Sequence, residues 1–171
     1  MAMDGPFSEE LGANLLKKDG YKDNVVLCLN YDGKFGLNNM NNYFQCANHE
    51  GEAVVWGEWI YKKGDPILFN DSKRFPVLYN NLKGWIVEIE RNKTDIRFTI
   101  DIDMKLTEKE CKENEIEFVK DTGKYTRICL QIFKYNYNVP ENEIDEMRMK
   151  AVVPFQLAYA VSIHKAQGLE Y

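Results

Sequence analysis

The sequence predicts an α+β fold in which a fragment of an α/β core accompanies a larger β region. Residues 24–30 form a short apolar run, which a turn with two glycines and a helical pattern over residues 37–46 follow. From residue 52 to about residue 137, short apolar segments alternate with turn residues, which is typical of strands. The last twenty residues return to an apolar strand that ends in a polar turn containing a glycine.

The first unit has the order strand, glycine turn, helix. Leu37, Met40 and Phe44 recur at helical spacing, and Asn38 or Asn39 is expected to cap the helix. A strand followed by a helix in this way is half of an α/β repeat. The alternative is a plain strand-turn-helix with no ligand at its turn.

The middle region is predicted to be a small β-barrel, because several short strands are separated by turn signals. Its clearest strand covers residues 96–102, where apolar and polar side chains alternate, and residues 125–135 form another. Thr107 and Glu110 fit a capping box before a short polar helix. Residues 138–150 are predicted to be a connector, and Trp56, Trp59 and Trp85 are interpreted as core residues.

Composition excludes several classes of protein. The chain has 171 residues, is 44% hydrophobic and carries a net charge of −5, so its overall charge gives no support to nucleic-acid binding and any such surface must be local. No apolar run is long enough to cross a membrane, and the start lacks the pattern of a signal peptide. The four cysteines form no C-x-x-C pair, so we expect no zinc site and interpret them as free thiols in a reducing cytoplasm.

Acidic residues are frequent between residues 105 and 121, but no metal-ligand spacing appears. We interpret this stretch as a solvated helix face. Asp101 and Asp103 lie on the polar face of their predicted strand and are interpreted in the same way. No metal site is therefore predicted.

The polar end of the last strand is the segment richest in possible chemistry. Ligands of α/β folds bind at the carboxyl ends of strands. His164 and Lys165 can donate to phosphate oxygens, Gly168 allows close approach of the backbone, and Glu170 can accept from a sugar hydroxyl. The alternative is a strand end with a solvated His-Lys pair.

Residues 157–171 closely resemble motif V of the RecD-like and UvrD-like superfamily-one DNA helicases, which runs Ala-Tyr-Ala, apolar, Thr or Ser, apolar, His-Lys-x-Gln-Gly-x-Glu, aromatic. Ser162 stands where threonine is commoner, and it keeps the hydroxyl. The resemblance implies two groups of site residues. The DNA contacts are Ser162, His164 and Lys165, and the residues that sense ATP and couple it to DNA are Gln167, Gly168 and Glu170.

Two further segments resemble the same family. Residues 25–42 resemble the motif IV region, which begins the second RecA-like core domain, although Asp32 stands where relatives often have a basic residue. Residues 61–87 are similar to the Gly-Asp…Tyr-Asn-Gly…Gly pattern that opens an inserted SH3-like barrel, with Asn81 in place of a glycine. The implied organisation is a partial RecA-like core over residues 1–60, the SH3-like barrel and a connector over 61–150, and a return to the core over 151–171.

Within the implied barrel, basic and aromatic residues interleave, which suits binding of single-stranded DNA. We expect Lys73, Arg74 and Tyr79 to contact DNA. The alternative is that Phe75 and Tyr79 belong to the core and that the cations are solvated.

The phosphate-binding pattern G-x-x-x-x-G-K-[ST] does not occur in these 171 residues. We therefore expect a fragment that does not hydrolyse ATP by itself, from a parent that is an ATP- and Mg²⁺-dependent helicase or translocase. Its expected partners are single-stranded DNA and the remainder of the helicase core, without a membrane. The rival interpretations are a non-catalytic SH3-like interaction module and a small RNA-binding protein.

Overall fold

Strands outweigh helices in the structure, a computed structural model that describes residues 26–34 and 36–162. The helices are α1 (Leu37–Cys46), α2 (Glu108–Glu113) and α3 (Ile144–Ala151), and a 3-10 turn, Glu141–Glu143, precedes α3. The strands are β1 (Val26–Cys28), β2 (Val54–Trp56), β3 (Trp59–Tyr61), β4 (Pro66–Phe69), β5 (Lys83–Arg91), β6 (Asp95–Ile102), β7 (Glu117–Asp121), β8 (Thr126–Phe133), β9 (Phe155–Leu157) and β10 (Ala160–Ser162).

The first and last described strands form a parallel pair. Strand β1 lies beside β10 with Cys28 opposite Ser162, so both strands end at the same edge. Helix α1 packs on the pair through Leu37, Met40 and Phe44, the apolar residues at helical spacing. The predicted strand-turn-helix unit is thus confirmed, and the helix has the predicted bounds.

The middle of the chain forms a six-stranded antiparallel sheet in the order β7-β8-β6-β5-β4-β9. Strands β7 and β9 lie at opposite ends of the order, so the described strands make an open sheet rather than the closed barrel that was predicted. One face carries the main core, in which the side chains of Ile96, Phe98 and Ile100 are fully buried. The described chain mixes helix and strand with sheet predominating, which is compatible with the predicted α+β class.

Several local predictions are confirmed. Residues at every second position of β6 and β8 are buried, as their alternation indicates. Helix α2 has the predicted capping box, in which Glu110 N donates to Thr107 Oγ1 and Thr107 N donates to the Glu110 carboxylate. Asn81 has a φ of 72°, consistent with the glycine-like turn expected there.

Other local predictions are wrong, and each error has a physical cause. Gly36, not an asparagine, caps α1, and no side chain bonds to the exposed amides of its first turn. The sequence pattern also predicts Gly84 in a connection between strands, whereas Gly84 lies inside β5, where a Cβ would come within 3.0 Å of Ile100 Cγ2. Asp101 is fully buried because Arg127 pairs with it from the neighbouring strand.

The predicted connector over residues 138–150 contains helix α3, and the acidic stretch after residue 105 contains strand β7. Both elements are polar, and α3 buries none of its residues, so the hydrophobic pattern does not reveal them. Of the three tryptophans predicted to be core residues, Trp85 is buried and Trp59 is 54% exposed.

All four cysteines are free, with Cys28, Cys111 and Cys129 buried and Cys46 exposed. Burial raises the pKa of the Cys28 thiol, which favours its neutral form. Among the described residues, no helix is both long enough and apolar enough to span a membrane.

Candidate nucleic-acid interface

The residues of the motif V resemblance lie at the end of β10. Ser162 is the last residue of that strand and is buried beside Cys28. Five of the predicted site residues lie outside the described part of the chain. They are His164, Lys165, Gln167, Gly168 and Glu170.

The glycine turn after β1 opens at the same edge of the parallel pair. Gly33 has a φ of 95°, and its carbonyl oxygen accepts from Gly36 N at 2.9 Å and from Asn39 Nδ2 at 2.7 Å. A Cβ on Gly36 would lie 2.5 Å from the carbonyl carbon and oxygen of Asp32. Only glycine fits at position 36, because the backbone turns back on itself there before α1 begins.

The basic and aromatic residues predicted from the barrel resemblance have separate environments. Arg74 is partly buried, where Nη1 donates to Gln131 O at 2.8 Å and the guanidinium stacks 4.7 Å from the ring centre of Phe75. Burial lowers the pKa of Arg74. Phe75 is a core residue, while Lys73 and Tyr79 are exposed on the loop between β4 and β5. Arg74 thus bonds to the backbone of β8. Of the three residues predicted from the barrel to contact DNA, Lys73 and Tyr79 remain accessible.

A large cleft of about 1160 Å³ opens elsewhere, between the start of α1 and one end of the six-stranded sheet. Its walls come from the glycine turn and α1, the β2–β3 hairpin, the ends of β5 and β8, and the segment that leads through β9. The lining residues named in the following paragraphs include none of those predicted from the sequence to bind DNA.

Three cations stand at one mouth of the cleft. Arg91 ends β5, Lys93 follows in the turn to β6, and Lys134 follows the end of β8. The antiparallel register brings them together, because Arg91 lies opposite Ile96 and Phe133 lies opposite Asp95. All three are exposed, and none forms an ion pair with a described residue.

Aromatic side chains form much of the remaining wall. Tyr31 after β1 and Trp59 on the hairpin are each 54% exposed, so their ring faces are open to a ligand. Tyr135 lies beyond the end of β8 and contacts the 88% exposed Tyr137 edge to face, with ring centres 4.7 Å apart. Amide side chains complete the lining, among them Asn38 and Asn70.

The cleft is locally basic in an acidic chain. The chain has 27 aspartates and glutamates against 22 lysines and arginines, yet no carboxylate of residues 26–34 or 36–162 lines the cleft. A second, smaller pocket of about 330 Å³ mixes Asp71 and Asp145 with Lys73 and Arg148. The charge of the large cleft is therefore suited to an anion, and its exposed rings are suited to flat groups that stack.

The cleft was not predicted from the sequence because its lining residues lie on six separate segments of the chain. The one available signal was the placement of Arg91, Lys93 and Lys134 at the ends of two long predicted strands. Which strand ends meet depends on pairing, and the sequence did not show that β5, β6 and β8 are adjacent.

Among residues 26–34 and 36–162, no group of three or more histidine, cysteine, aspartate or glutamate side chains is placed to hold a metal ion. The sequence matches no protein-family model and no curated protein sequence.

Proposed function

We propose that this chain is part of an ATP-driven superfamily-one DNA helicase or translocase similar to RecD and UvrD, and that its described part holds single-stranded DNA. The observation that carries the proposal is the cleft, whose lining among the described residues combines three exposed cations and exposed rings and includes no carboxylate. A stacked base contributes about 1–3 kcal/mol, and such stacking tolerates any base sequence. Arg91, Lys93 and Lys134 supply charge for the phosphates.

The parallel pair β1–β10 supports the helicase part of the proposal. The chain forms a strand, a glycine turn and a helix, and after a long insertion it returns as a strand parallel to the first. This path is the one expected for a RecA-like domain with an inserted module. The residues before the insertion carry the motif IV resemblance, and Ser162 ends the strand that carries the motif V resemblance. In this proposal the SH3-like insert supplies strands β4 to β8 of the six-stranded sheet, in an open form, and β9 belongs to the return to the core.

The proposed division of labour follows from the motif resemblance. The motif resemblance assigns contacts with the DNA backbone to Ser162, His164 and Lys165. Gln167, Gly168 and Glu170 sense bound ATP. The residues that bind the phosphates of ATP and the Mg²⁺ ion belong to the remainder of the helicase core. With its four free thiols, such a protein fits a reducing compartment such as the cytoplasm.

A titration with single-stranded DNA tests the proposal. The 171-residue chain is mixed with a fluorescently labelled oligothymidylate, and anisotropy is followed at several salt concentrations. We expect the logarithm of the association constant to fall linearly with the logarithm of the salt concentration. Lys93→Gln combined with Lys134→Gln, or Trp59→Ala alone, lowers the affinity by about tenfold.

Two matched variants make the titration specific. Lys109→Gln with Lys112→Gln removes two exposed cations from α2, away from the cleft, and leaves the affinity within about twofold. Lys73→Gln with Tyr79→Ala alters the surface predicted from the barrel resemblance. A loss of binding in that variant alone, or no binding by the unaltered chain, contradicts the proposed cleft.

A second candidate function, a non-catalytic protein-interaction module, is favoured by one observation. The β2–β3 hairpin exposes Val55, Trp59 and Ile60, and all three are at least 44% exposed. An exposed apolar patch can mark a protein contact. Absence of DNA binding at every salt concentration favours this second function.

A further inference from the structure

One fully buried carboxylate, that of Asp65, joins the two parts of the chain. Oδ2 of Asp65 accepts from Gln45 Nε2 and from Lys62 N, each at 2.7 Å. Oδ1 accepts from Asn48 Nδ2 at 3.0 Å and from the Tyr159 hydroxyl at 2.6 Å. The donors come from α1 and the residues after it, from the start of the insert, and from the residue next to β10.

The local backbone fixes Asp65 in this position. Gly64 has a φ of 88°, and a Cβ there would lie 2.9 Å from Glu50 Oε2. Gly64 N donates to Ile86 O at 2.7 Å, and Asp65 N donates to Lys62 O at 3.2 Å. The tight turn therefore points the carboxylate inward, immediately before β4 begins.

Electrostatics make the carboxylate dependent on its donors. Burial raises the pKa of Asp65, and the hydrogen bonds from Tyr159, Lys62, Gln45 and Asn48 oppose that rise. The nearest ammonium group, on Lys62, donates instead to Gln45 O and Asn48 O, each at 3.2 Å. When neutral donors hold a buried carboxylate, removing one of them lowers the stability of the folded state.

The segment around Tyr159 passes from one sheet to the other within two residues. Leu157 in β9 pairs with Ile67 of the six-stranded sheet, and Ala158 N donates to Pro66 O at 2.8 Å. Ala160 begins β10, where its N donates to Asn41 Oδ1 at 2.8 Å and its O accepts from Asn41 Nδ2. Hydrogen bonds therefore anchor the residues on both sides of Tyr159, one to the six-stranded sheet and the other to α1.

We infer that Asp65 and Tyr159 are positioning residues that transmit occupancy of the cleft to the strand ending at Ser162. Asn41 and Leu157 both line the cleft, and Asn41 bonds to Ala160 while Leu157 directly precedes the crossing. A ligand that displaces α1 or β9 therefore shifts β10 through the hydrogen bonds that Gln45, Asn48, Lys62 and Tyr159 donate to Asp65, which we call the Asp65 node. The inference depends on the proposed DNA-binding function of the cleft.

Hydrogen exchange of backbone amides, with and without oligothymidylate, tests the inference. In the unaltered chain, DNA slows exchange at residues 160–162 by about tenfold. Tyr159→Phe removes one hydroxyl and keeps the ring, and Asp65→Asn exchanges an acceptor for a donor. Both variants keep DNA affinity within about threefold, but the slowing at residues 160–162 falls to less than about twofold.

Thr126→Val is the matched control, because it removes a buried hydroxyl that bonds to Leu106 N and Met104 O away from the node. That variant keeps the full slowing. DNA binding without slowing at residues 160–162, or slowing retained in Tyr159→Phe, overturns the inference and leaves the proposed function standing. Absence of binding by the unaltered chain overturns both. If Asp65→Asn does not fold, Tyr159→Phe alone decides.

Discussion

Asp65 and Asp101 are both fully buried carboxylates, but different partners satisfy them. Arg127 pairs with Asp101 through Nε at 2.7 Å and Nη2 at 3.1 Å, which is a bidentate ion pair. Asp65 accepts only from amides and a hydroxyl. The sequence places both residues in polar contexts, and the spacing does not distinguish either from a solvated aspartate. Their burial depends on strand pairing and turn geometry that arise only in the folded chain.

The tyrosine that donates to Asp65 predicts a pH dependence of stability. Burial is the largest cause that raises the pKa of Tyr159 above the usual value of about 10, and the negative charge of Asp65 is the next. A raised pKa in the folded state contributes stability that is fully present below about pH 10 and is lost as the pH rises through the folded-state pKa. We therefore expect the free energy of unfolding to fall as the pH rises above about 10.

Urea denaturation at a series of pH values measures that slope. Tyr159→Phe lowers stability at neutral pH by about 1 kcal/mol and flattens the alkaline decline. Tyr79→Phe alters a half-exposed tyrosine and keeps the slope of the unaltered chain. An equally steep decline in Tyr159→Phe contradicts the assignment of that slope to Tyr159.

Elements with a strong local pattern were predictable, and polar ones were not. Helix α1 follows from Leu37, Met40 and Phe44, and β6 follows from strict alternation. Helix α3 and strand β7 have little apolar periodicity, and their positions depend on the sheet beside them. A glycine within a strand, such as Gly84, is indistinguishable in the sequence from a glycine in a turn.

A substitution in the turn before α1 should alter the shape of the cleft, because this turn forms part of its wall. Gly36→Ala places a methyl group 2.5 Å from the Asp32 backbone, so the turn must shift and displace Tyr31 and the start of α1. We expect stability to fall by about 1–3 kcal/mol and oligothymidylate affinity to fall by at least about threefold. Thermal unfolding and anisotropy measure the two effects.

Gly123→Ala is the control for that change, since Gly123 has a φ of 89° with no atom near its missing Cβ and lies outside the cleft lining. Alanine there strains the backbone and lowers stability, while DNA affinity stays unchanged. Equal DNA affinity in Gly36→Ala and the unaltered chain would show that the turn does not shape the binding surface.

At the scale of the whole molecule, the charge of the chain and the charge of its cleft have opposite signs. The whole chain sums to −5, whereas the described residues that line the cleft include Arg91, Lys93 and Lys134 and no carboxylate. The motif resemblance predicted the class of ligand, and it predicted DNA contacts on the loop that carries Lys73 and Tyr79. The cleft emerged only from the register of β5, β6 and β8, which the sequence pattern does not contain.

Photocrosslinking to DNA tests the central claim most directly, because it identifies the residues that face the bases. The 171-residue chain is irradiated with an oligonucleotide that carries 5-iodouracil, and the modified residues are identified by mass spectrometry. We predict crosslinks at Tyr31, Trp59 and Tyr135, whose rings line the cleft. Crosslinks at Tyr79 with none in the cleft, or an absence of specific crosslinks, contradict the claim that the cleft binds single-stranded DNA.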